Sequence, residues 1–133
     1  MGPSVSGVPA LRTLAMNFSK LNGLIPAVIQ DERTNEVLMV GFMNEDALTR
    51  TRKSGYVTFF SRTRNTLWMK GESSGNKLKV LSLSTDCDED TVLVRVRREG
   101  AGVVCHLGTV SCFGAALQVL RSGGEPDDFG KAC

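Results

Sequence analysis

Six short runs of apolar, β-branched and aromatic residues constrain this 133-residue chain most strongly. Runs of this length and composition, bounded by polar or glycine-containing stretches, predict β-strands. They cover residues 24–30, 37–42, 56–61, 66–70, 78–83 and 92–96. The first two are separated by six polar residues and predict a β-hairpin. We therefore expect a strand-rich α+β domain with a mixed or antiparallel sheet and one or two short helices.

The clearest helix follows the second run. Asn44 is a good N-cap, Glu45 and Asp46 suit the positive end of a helix dipole, and Gly55 is a typical C-terminal stop. The last turn carries basic residues, which favour the other end of the dipole: Arg50, Arg52 and Lys53. This pattern predicts a helix that serves as scaffold.

Two other segments are less defined. Leu11, Leu14, Phe18 and Leu21 have helical spacing before Asn22-Gly23, which indicates a short helix or a turn. Residues 113–120 fit either a helix or a strand. We predict a disordered tail over residues 1–9, one domain over 10–121 and a polar tail over 122–133.

Charge and hydropathy exclude several classes of function. The net charge of +2 and the pI near 8.4 are too mild for a dedicated nucleic-acid or membrane-surface protein. No apolar run is long enough to cross a membrane, and no export leader is recognisable. We expect a cytoplasmic protein. In that reducing compartment its four cysteines favour thiol or metal chemistry over disulfides.

One stretch concentrates metal-binding residue types. It holds three aspartates, three cysteines and the only histidine: Asp86, Asp88, Asp90, Cys87, Cys105, Cys112 and His106. In an extended segment the three aspartates would lie on one face and Cys87 on the other. Carboxylates suit a hard cation such as Mg²⁺, and thiolates suit Zn²⁺.

Two other kinds of metal site fit poorly. An EF-hand loop needs glycine and glutamate where Thr91 and Arg97 stand, and no Cys-x-x-Cys pair indicates a closed structural zinc. Three protein ligands would leave one zinc position open, as in catalytic sites. If Cys105 and His106 are extended, their side chains diverge, so His106 is interpreted as a proton-transfer or substrate-contacting group rather than a ligand.

A second patch has the composition of an anion site. It combines Phe60-Ser61-Arg62-Thr63-Arg64 with the later stretch 68–77, which contains Trp68, Lys70 and two glycines. Arginine forks, hydroxyls and exposed backbone N–H groups at glycines together favour phosphate. Alone, the pattern fits a solvated basic hairpin equally well.

In this order, the motifs resemble the phosphoribosyl-AMP cyclohydrolases of histidine biosynthesis. The resemblance spans about residues 24–113. It rests on the stretches Leu24-Ile25-Pro26-Ala27-Val28-Ile29-Gln30-Asp31, Met43-Asn44-Glu45, Phe60-Ser61-Arg62, Trp68-Met69-Lys70-Gly71-Glu72-Ser73-Ser74-Gly75, Asp86-Cys87-Asp88-Glu89-Asp90, Cys105-His106 and Ser111-Cys112-Phe113.

The resemblance implies a monofunctional hydrolase that adds water at C6 of N1-phosphoribosylated AMP and breaks the N1–C6 bond. It also implies zinc, magnesium and an intertwined homodimer. Carried over, Cys87, Cys105 and Cys112 would bind zinc, with Cys87 given by the partner subunit, and Asp86, Asp88 and Asp90 would hold magnesium. His106 would transfer protons. The residues that would bind the substrate are Arg62, Arg64, Trp68, Lys70, Gly71, Ser73, Ser74 and Gly75.

Three other functional classes compete with this one. Residues 55–59 match half of an RNA-recognition strand, but the preceding residues do not fit. A cytidine-type deaminase needs His-x-Glu and Pro-Cys-x-x-Cys, and neither is present. A non-catalytic, metal-stabilised dimer is distinguished only by metal binding without turnover.

Overall fold

The computed structural model describes residues 16–113, and that range contains six strands and one helix. The strands are β1 Ile25–Asp31, β2 Val37–Met43, β3 Thr58–Ser61, β4 Thr66–Met69, β5 Leu78–Thr85 and β6 Val92–Arg98, and helix α1, Glu45–Ser54, lies between β2 and β3. Every predicted strand is present, with bounds within two residues of those expected.

The strands form a four-stranded mixed sheet and a separate hairpin. The sheet has the order β2-β1-β6-β5, in which β1 and β2 form the predicted antiparallel hairpin. Strands β5 and β6 are also antiparallel, whereas β1 and β6 are parallel. Strands β3 and β4 pair only with each other. The α+β class, the single domain and the mixed sheet are therefore confirmed.

The core lies on one face of the two central strands. Ile25, Ala27 and Ile29 alternate with more exposed residues along β1 and are fully buried. Ala27 pairs with Val92 and Ile29 with Val94, which are buried on the same face. Burial of each such aliphatic side chain contributes roughly 1.5–3 kcal/mol to the free energy of unfolding.

Helix α1 begins and ends as the sequence predicts. The Asn44 side chain accepts a hydrogen bond from the Ala47 N–H at 2.8 Å, and Gly55 ends the helix with φ of 79°. Buried Thr51 fastens the helix to β3, because its hydroxyl donates to Thr58 O and accepts from Thr58 N. The helix thus holds the second hairpin against the main sheet.

Close packing of the two sheets depends on one glycine. The ring of buried Phe59 on β3 lies over Gly41 on β2, and a Cβ at Gly41 would stand 2.5 Å from the ring. Real Cβ atoms do not approach other heavy atoms so closely. Gly41 therefore leaves the space that the aromatic ring fills.

Some expectations fall at or beyond the limits of the described range. In the first amphipathic segment, residues 16–23 form turns, with the Gly23 N–H donating to Phe18 O, while Leu11 and Leu14 lie outside the described residues. Of residues 113–120, only Phe113 is described. The domain limits remain predictions. The one helix within residues 16–113 is too short and too polar to span a bilayer.

Candidate active site

The acidic cluster forms the loop that connects β5 to β6. Oxygen atoms of Asp86, Asp88 and Asp90 lie within 4.8 Å of one another, and among residues 16–113 this is the one such group of three potential ligands. Asp86 shapes the loop by accepting hydrogen bonds from the N–H groups of Asp90 and Thr91 at 3.1 and 3.2 Å. The predicted grouping of three carboxylates is therefore present.

The extended geometry expected for this segment is wrong. Residues 86–90 form a turn, and Glu89 has a positive φ of 62°. The side chain of Asp86 bonds the backbone ahead of it, as Asx turns do, and this bends the chain. The carboxylates converge because the loop closes and not because a strand alternates its faces.

A lysine from far away in the sequence lies against these carboxylates. Lys20 Nζ is 2.8 Å from Asp90 Oδ2 and 3.1 Å from Asp88 Oδ2. The hydrogen bonds to Asp90 and then Asp88 raise the pKa of Lys20 to about 12, and the Lys20 ammonium lowers the pKa of Asp90 to about 2. The Asp90 carboxylate therefore stays ionised at neutral pH, and the loop already attracts one cation.

Residues 103–112, named here the thiol loop, carry Cys105 and Cys112. The N–H groups of Val104 and Cys105 both donate to Thr109 O, which closes the loop. The Cys112 N–H donates to Leu38 O on β2 at 2.7 Å. Backbone contacts with the sheet edge thus determine where the second thiol lies.

The pKa values of the two thiols are shifted in opposite directions. A hydrogen bond from the Leu107 N–H lowers the pKa of the Cys105 thiol, against the opposing effect of burial. Burial raises the pKa of Cys112, and the neighbouring Cys105 thiol acts in the same direction. The Cys105 thiol therefore ionises more readily than that of Cys112. Thiolates are fitting ligands for a soft cation.

His106 follows Cys105 in a turn, so the extended geometry expected for this pair is also wrong. The Gly108 N–H donates to Cys105 O at 2.9 Å and closes the turn. Cys105 is buried and His106 is exposed. The two side chains diverge as expected, but the cause is the turn.

The glycine-containing stretch after β4 forms a second turn. The Gly75 N–H donates to Gly71 O at 2.8 Å, and Gly71 has φ of 80°. A Cβ at Gly71 would stand 2.1 Å from Asn76 O, so only glycine fits there. The Ala101 N–H donates to Asn76 Oδ1 at 2.8 Å and joins this turn to the approach of the thiol loop.

The glycine turn and the thiol loop enclose a cavity of about 260 Å³, named here the thiol-loop cavity. The glycine-turn wall contributes the ammonium of Lys70, the hydroxyl of Ser74 and the backbone at Gly71. The thiol-loop wall contributes the thiol of Cys105 and the imidazole of His106. The lining residues are Lys70, Gly71, Ser74, Asn76, Val103, Val104, Cys105, His106 and Gly108. The structure thus joins the two chemical patches that the sequence keeps apart.

Lys70, which lines this cavity, also lies near an aromatic ring. Its ammonium is 5.8 Å from the centroid of the Trp68 ring, and its charge acts to lower the pKa of both thiols, although burial leaves the pKa of Cys112 raised. Trp68 and Arg64 line a second cavity of about 320 Å³, together with Ser61 and Thr63. An aromatic face, a guanidinium and two hydroxyls can bind a ring and an anion.

Other predicted residues lie elsewhere. The Arg62 guanidinium stacks on the Phe42 ring at 4.6 Å and lines neither cavity. Ser73 and Gly75 belong to the glycine turn but do not line the thiol-loop cavity. Cys87 is exposed on the acidic loop, and the sulfur atoms of the three cysteines do not come within 4.8 Å of one another in a single chain.

Sequence reasoning missed three residues at the site. Lys20 neutralises the acidic loop, Asn76 joins the cavity walls, and Ser111 fastens Cys112 to β2 by donating to Val37 O at 2.7 Å. Asn76 has a local signal, because asparagine after glycine favours turns. Lys20 and Ser111 act over long sequence separations and have none.

A sequence model described as phosphoribosyl-AMP cyclohydrolase matches residues 39–114. This range includes both cavities, the acidic loop and the thiol loop. The chain belongs to the phosphoribosyl-AMP cyclohydrolase family. The match covers more than half of the 133 residues and extends from within β2 past the end of the thiol loop.

Individual relatives agree. The chain is 54% identical to the phosphoribosyl-AMP cyclohydrolase of Solibacter usitatus over 98 residues, which are 74% of this chain and 77% of that protein. The corresponding protein of Geobacter sulfurreducens is 53% identical over 100 residues, 75% of this chain and 79% of its own. The Histidine biosynthesis bifunctional protein HisIE of Buchnera aphidicola is 57% identical over 100 residues, 75% of this chain. The match spans about half the length of such bifunctional relatives, 46% in that case.

Proposed function

We propose that this protein is the hydrolase that opens the purine ring of 1-(5-phosphoribosyl)-AMP in histidine biosynthesis. The observation that carries the proposal is the thiol-loop cavity, in which Cys105 and His106 face Lys70, Gly71 and Ser74 across about 260 Å³. Metal-binding and proton-transferring groups thus stand opposite phosphate-binding groups. The names of the relatives identify the nucleotide on which such a site would act.

Zinc is the metal that the thiol pair fits. Cys105 lines the cavity, Cys112 belongs to the same loop, each thiol shifts the pKa of the other, and thiolates are typical zinc ligands. When bound, zinc would supply a water molecule acidic enough to attack near neutral pH. Cys87 of the partner subunit would complete the ligand set in a homodimer, because the three sulfur atoms are not together within one chain.

The proposed reaction breaks one bond for each that it forms. The oxygen of water bonds to C6, the N1–C6 bond breaks, and C6 becomes the carbonyl carbon of a carboxamide. One proton of water reaches N1, and the other reaches the exocyclic nitrogen, which becomes the NH2 of the carboxamide. His106 lies at the cavity next to Cys105, where an imidazole could accept a proton from water and return it to N1.

The glycine turn would bind the phosphate groups of the substrate. Lys70 offers a fixed charge, Ser74 offers a hydroxyl, and Gly71 lets an anion approach the backbone. Arg64 and Trp68 in the cavity of about 320 Å³ would hold the second phosphoribosyl group or the ring. These contacts orient C6 toward the thiol loop.

Magnesium would occupy the acidic loop. The three carboxylates lie within 4.8 Å of one another, and a lysine ammonium stands against two of them, as a bound cation would. Carboxylate oxygens are the ligands that Mg²⁺ favours. Together these assignments complete the proposed enzyme: a cytoplasmic zinc- and magnesium-dependent homodimer.

The first experiment follows the ultraviolet change of purified protein incubated with phosphoribosyl-AMP. Turnover that is lost with a zinc chelator and restored by zinc supports the proposal. Cys112→Ser should abolish it, while Cys133→Ser, a matched loss of one thiol outside the described residues, should not. Folded protein that binds zinc and magnesium without turnover would instead support the metal-stabilised dimer.

The RNA-binding alternative loses its main support in the structure. Phe59, which would stack on bases, is 1% exposed and packs against Trp68 with ring centroids 5.2 Å apart. Base stacking requires an exposed ring. No observation favours that alternative over the hydrolase.

A further inference from the structure

We infer that Arg98 is a positioning residue for the thiol-loop cavity. Anchored by Asp31, it fixes the carbonyl of Gly102 and thereby the wall formed by residues 103–105. Arg98 itself does not line the cavity. The inference rests on the proposed function, because it treats this cavity as the active site.

The anchor of Arg98 is a buried carboxylate. Asp31 is 2% exposed and ends β1, while Arg98 ends the neighbouring parallel strand β6. Asp31 Oδ2 accepts from Arg98 Nε at 2.5 Å, and Oδ1 accepts from the N–H groups of Arg33 and Thr34 at 2.8 and 3.4 Å. A carboxylate held by three donors at the end of a central strand has little freedom to move.

The guanidinium transfers this rigidity to the next loop. Arg98 Nη1 donates to Gly102 O at 2.8 Å. Because the guanidinium is planar, fixing Nε on Asp31 also fixes the direction of Nη1. Gly102 has φ of 76°, and a Cβ there would stand 2.8 Å from Nη1. At Gly102 the backbone therefore lies too close to the guanidinium for a side chain and has a left-handed conformation, and glycine meets both conditions.

The loop held in this way leads directly into the cavity wall. Gly102 immediately precedes Val103, Val104 and Cys105, which line the cavity. On the other side of the loop, Asn76 Oδ1 accepts from the Ala101 N–H at 2.8 Å. The distance between the cavity walls thus depends on hydrogen bonds at two consecutive residues. Ala101 is bonded to Asn76 of the glycine turn, and Gly102 is bonded to Arg98.

The competing interpretation is that the ion pair only stabilises the end of the sheet. A purely stabilising pair affects the free energy of unfolding and leaves the folded site unchanged. A positioning pair also changes the exposure of the cavity wall in protein that remains folded. Cys105 is 6% exposed and reports on that wall directly.

The test compares Arg98→Lys with Arg97→Lys in the full-length protein as purified. Lysine keeps the charge opposite Asp31 but has no fork to reach Gly102 O as well. Arg97 is the exposed neighbour on β6 and provides the matched control. Iodoacetamide labelling, read at each cysteine by peptide mass spectrometry, gives the rate at Cys105 relative to Cys133, the cysteine without a proposed zinc role, in the same sample.

We expect Arg98→Lys to raise that ratio about tenfold and to lower kcat/KM about 10- to 100-fold, as loss of an outer-shell contact does. Arg97→Lys should leave both within about twofold of wild type. An unchanged ratio, or an equal rise at all cysteines, in the Arg98 variant would overturn the inference.

The labelling also separates this inference from the proposed function. Wild type without turnover would reject the hydrolase, while the labelling ratio would still decide the role of Arg98. If Arg98→Lys does not fold, Asp31→Asn replaces it. The amide oxygen still accepts from the guanidinium but no longer holds it by charge. The same rise at Cys105 is expected, and its absence in folded Asp31→Asn protein contradicts the inference.

Discussion

The ammonium of Lys20 lies 2.8 Å from Asp90 Oδ2, although the two residues are 70 positions apart in the chain. The same ammonium is 3.1 Å from Asp88 Oδ2. One positive charge of the protein itself therefore already lies against two of the three clustered carboxylates. A divalent cation entering the loop must displace this lysine.

We predict that Lys20→Met strengthens magnesium binding about two- to fivefold, because it removes the competing cation from an exposed pair. Isothermal titration calorimetry of wild type and variant measures the change. Lys53→Met, at the exposed end of α1, is the control for loss of one surface charge. Equal magnesium affinity in all three proteins would show that Lys20 does not compete.

Replacing His106 with alanine should lower kcat about 10²- to 10⁴-fold, because a positioned proton-transfer group is lost. Zinc content should stay at the wild-type level, since the side chain diverges from Cys105. Steady-state kinetics and metal analysis on the same preparation test both parts. Wild-type turnover in the variant would remove His106 from the mechanism.

Mixing two inactive variants in one refolding reaction tests whether the zinc ligands are shared between subunits. Cys87→Ser and Cys105→Ser chains should each be inactive, yet random reassociation should restore about a quarter of wild-type activity, because half of the dimers regain one intact site. The recovered rate is read after joint unfolding and refolding. Each variant refolded alone is the control, and no recovery on mixing would place the site within one chain.

The sequence predicts most of the architecture, for local reasons. Strand composition and run length located every strand, and Asn44 and Gly55 located both ends of α1. The geometry of the acidic loop was not predictable from alternation, because the Asp86 side chain bonds the backbone and Glu89 adopts a positive φ. Side-chain hydrogen bonds determine that loop more than strand periodicity does.

The sequence does not reveal residues that act through a distant contact. Lys20 carries no motif, and its role arises only when the first turns meet the loop between β5 and β6. Arg62 belongs to a family motif, and its contact with Phe42, a residue of a different strand, could not be read from that motif; its role in substrate binding stays a prediction. Local patterns list candidate residues, whereas tertiary packing decides which of them meet.

The buried pair of Asp31 and Arg98 predicts a pH dependence of stability. Burial raises the pKa of Asp31, but the hydrogen bonds from Arg98, Arg33 and Thr34 together lower it below its ordinary value. The pKa of Asp31 in the unfolded chain is about 3.9, and at pH values above it the ionised side chain contributes its full stabilisation to the fold. This contribution is lost as the pH falls through the lower pKa of Asp31 in the folded protein.

Urea unfolding of wild type and Asp31→Asn at several pH values measures that contribution. The difference between their free energies of unfolding should be largest at neutral pH and should shrink below about pH 4. Asp46→Asn is the control, because Asp46 is an exposed aspartate of helix α1 and has no buried partner among the described residues. A difference that stays constant with pH contradicts the assignment.

Gly41→Ala should lower the free energy of unfolding by about 1–3 kcal/mol, because the new methyl group meets the Phe59 ring at 2.5 Å. Alanine in a strand is otherwise no worse than glycine. The double variant Gly41→Ala/Phe59→Leu tests the cause by a thermodynamic cycle. Destabilisations that simply add would mean that the two residues do not conflict.

The parallel pairing of β1 with β6 also sets an order of events during folding. Gln30 pairs with Arg95 across 65 positions, whereas the β1–β2, β3–β4 and β5–β6 pairings each join neighbouring segments. Closing so long a loop costs chain entropy before any contact compensates it, so the hairpins form first and the central pair last. Asp31 and Arg98 meet only in that last step. The cavity wall is therefore assembled at the end of folding, and a nascent chain acquires its active site only after its sheet is complete.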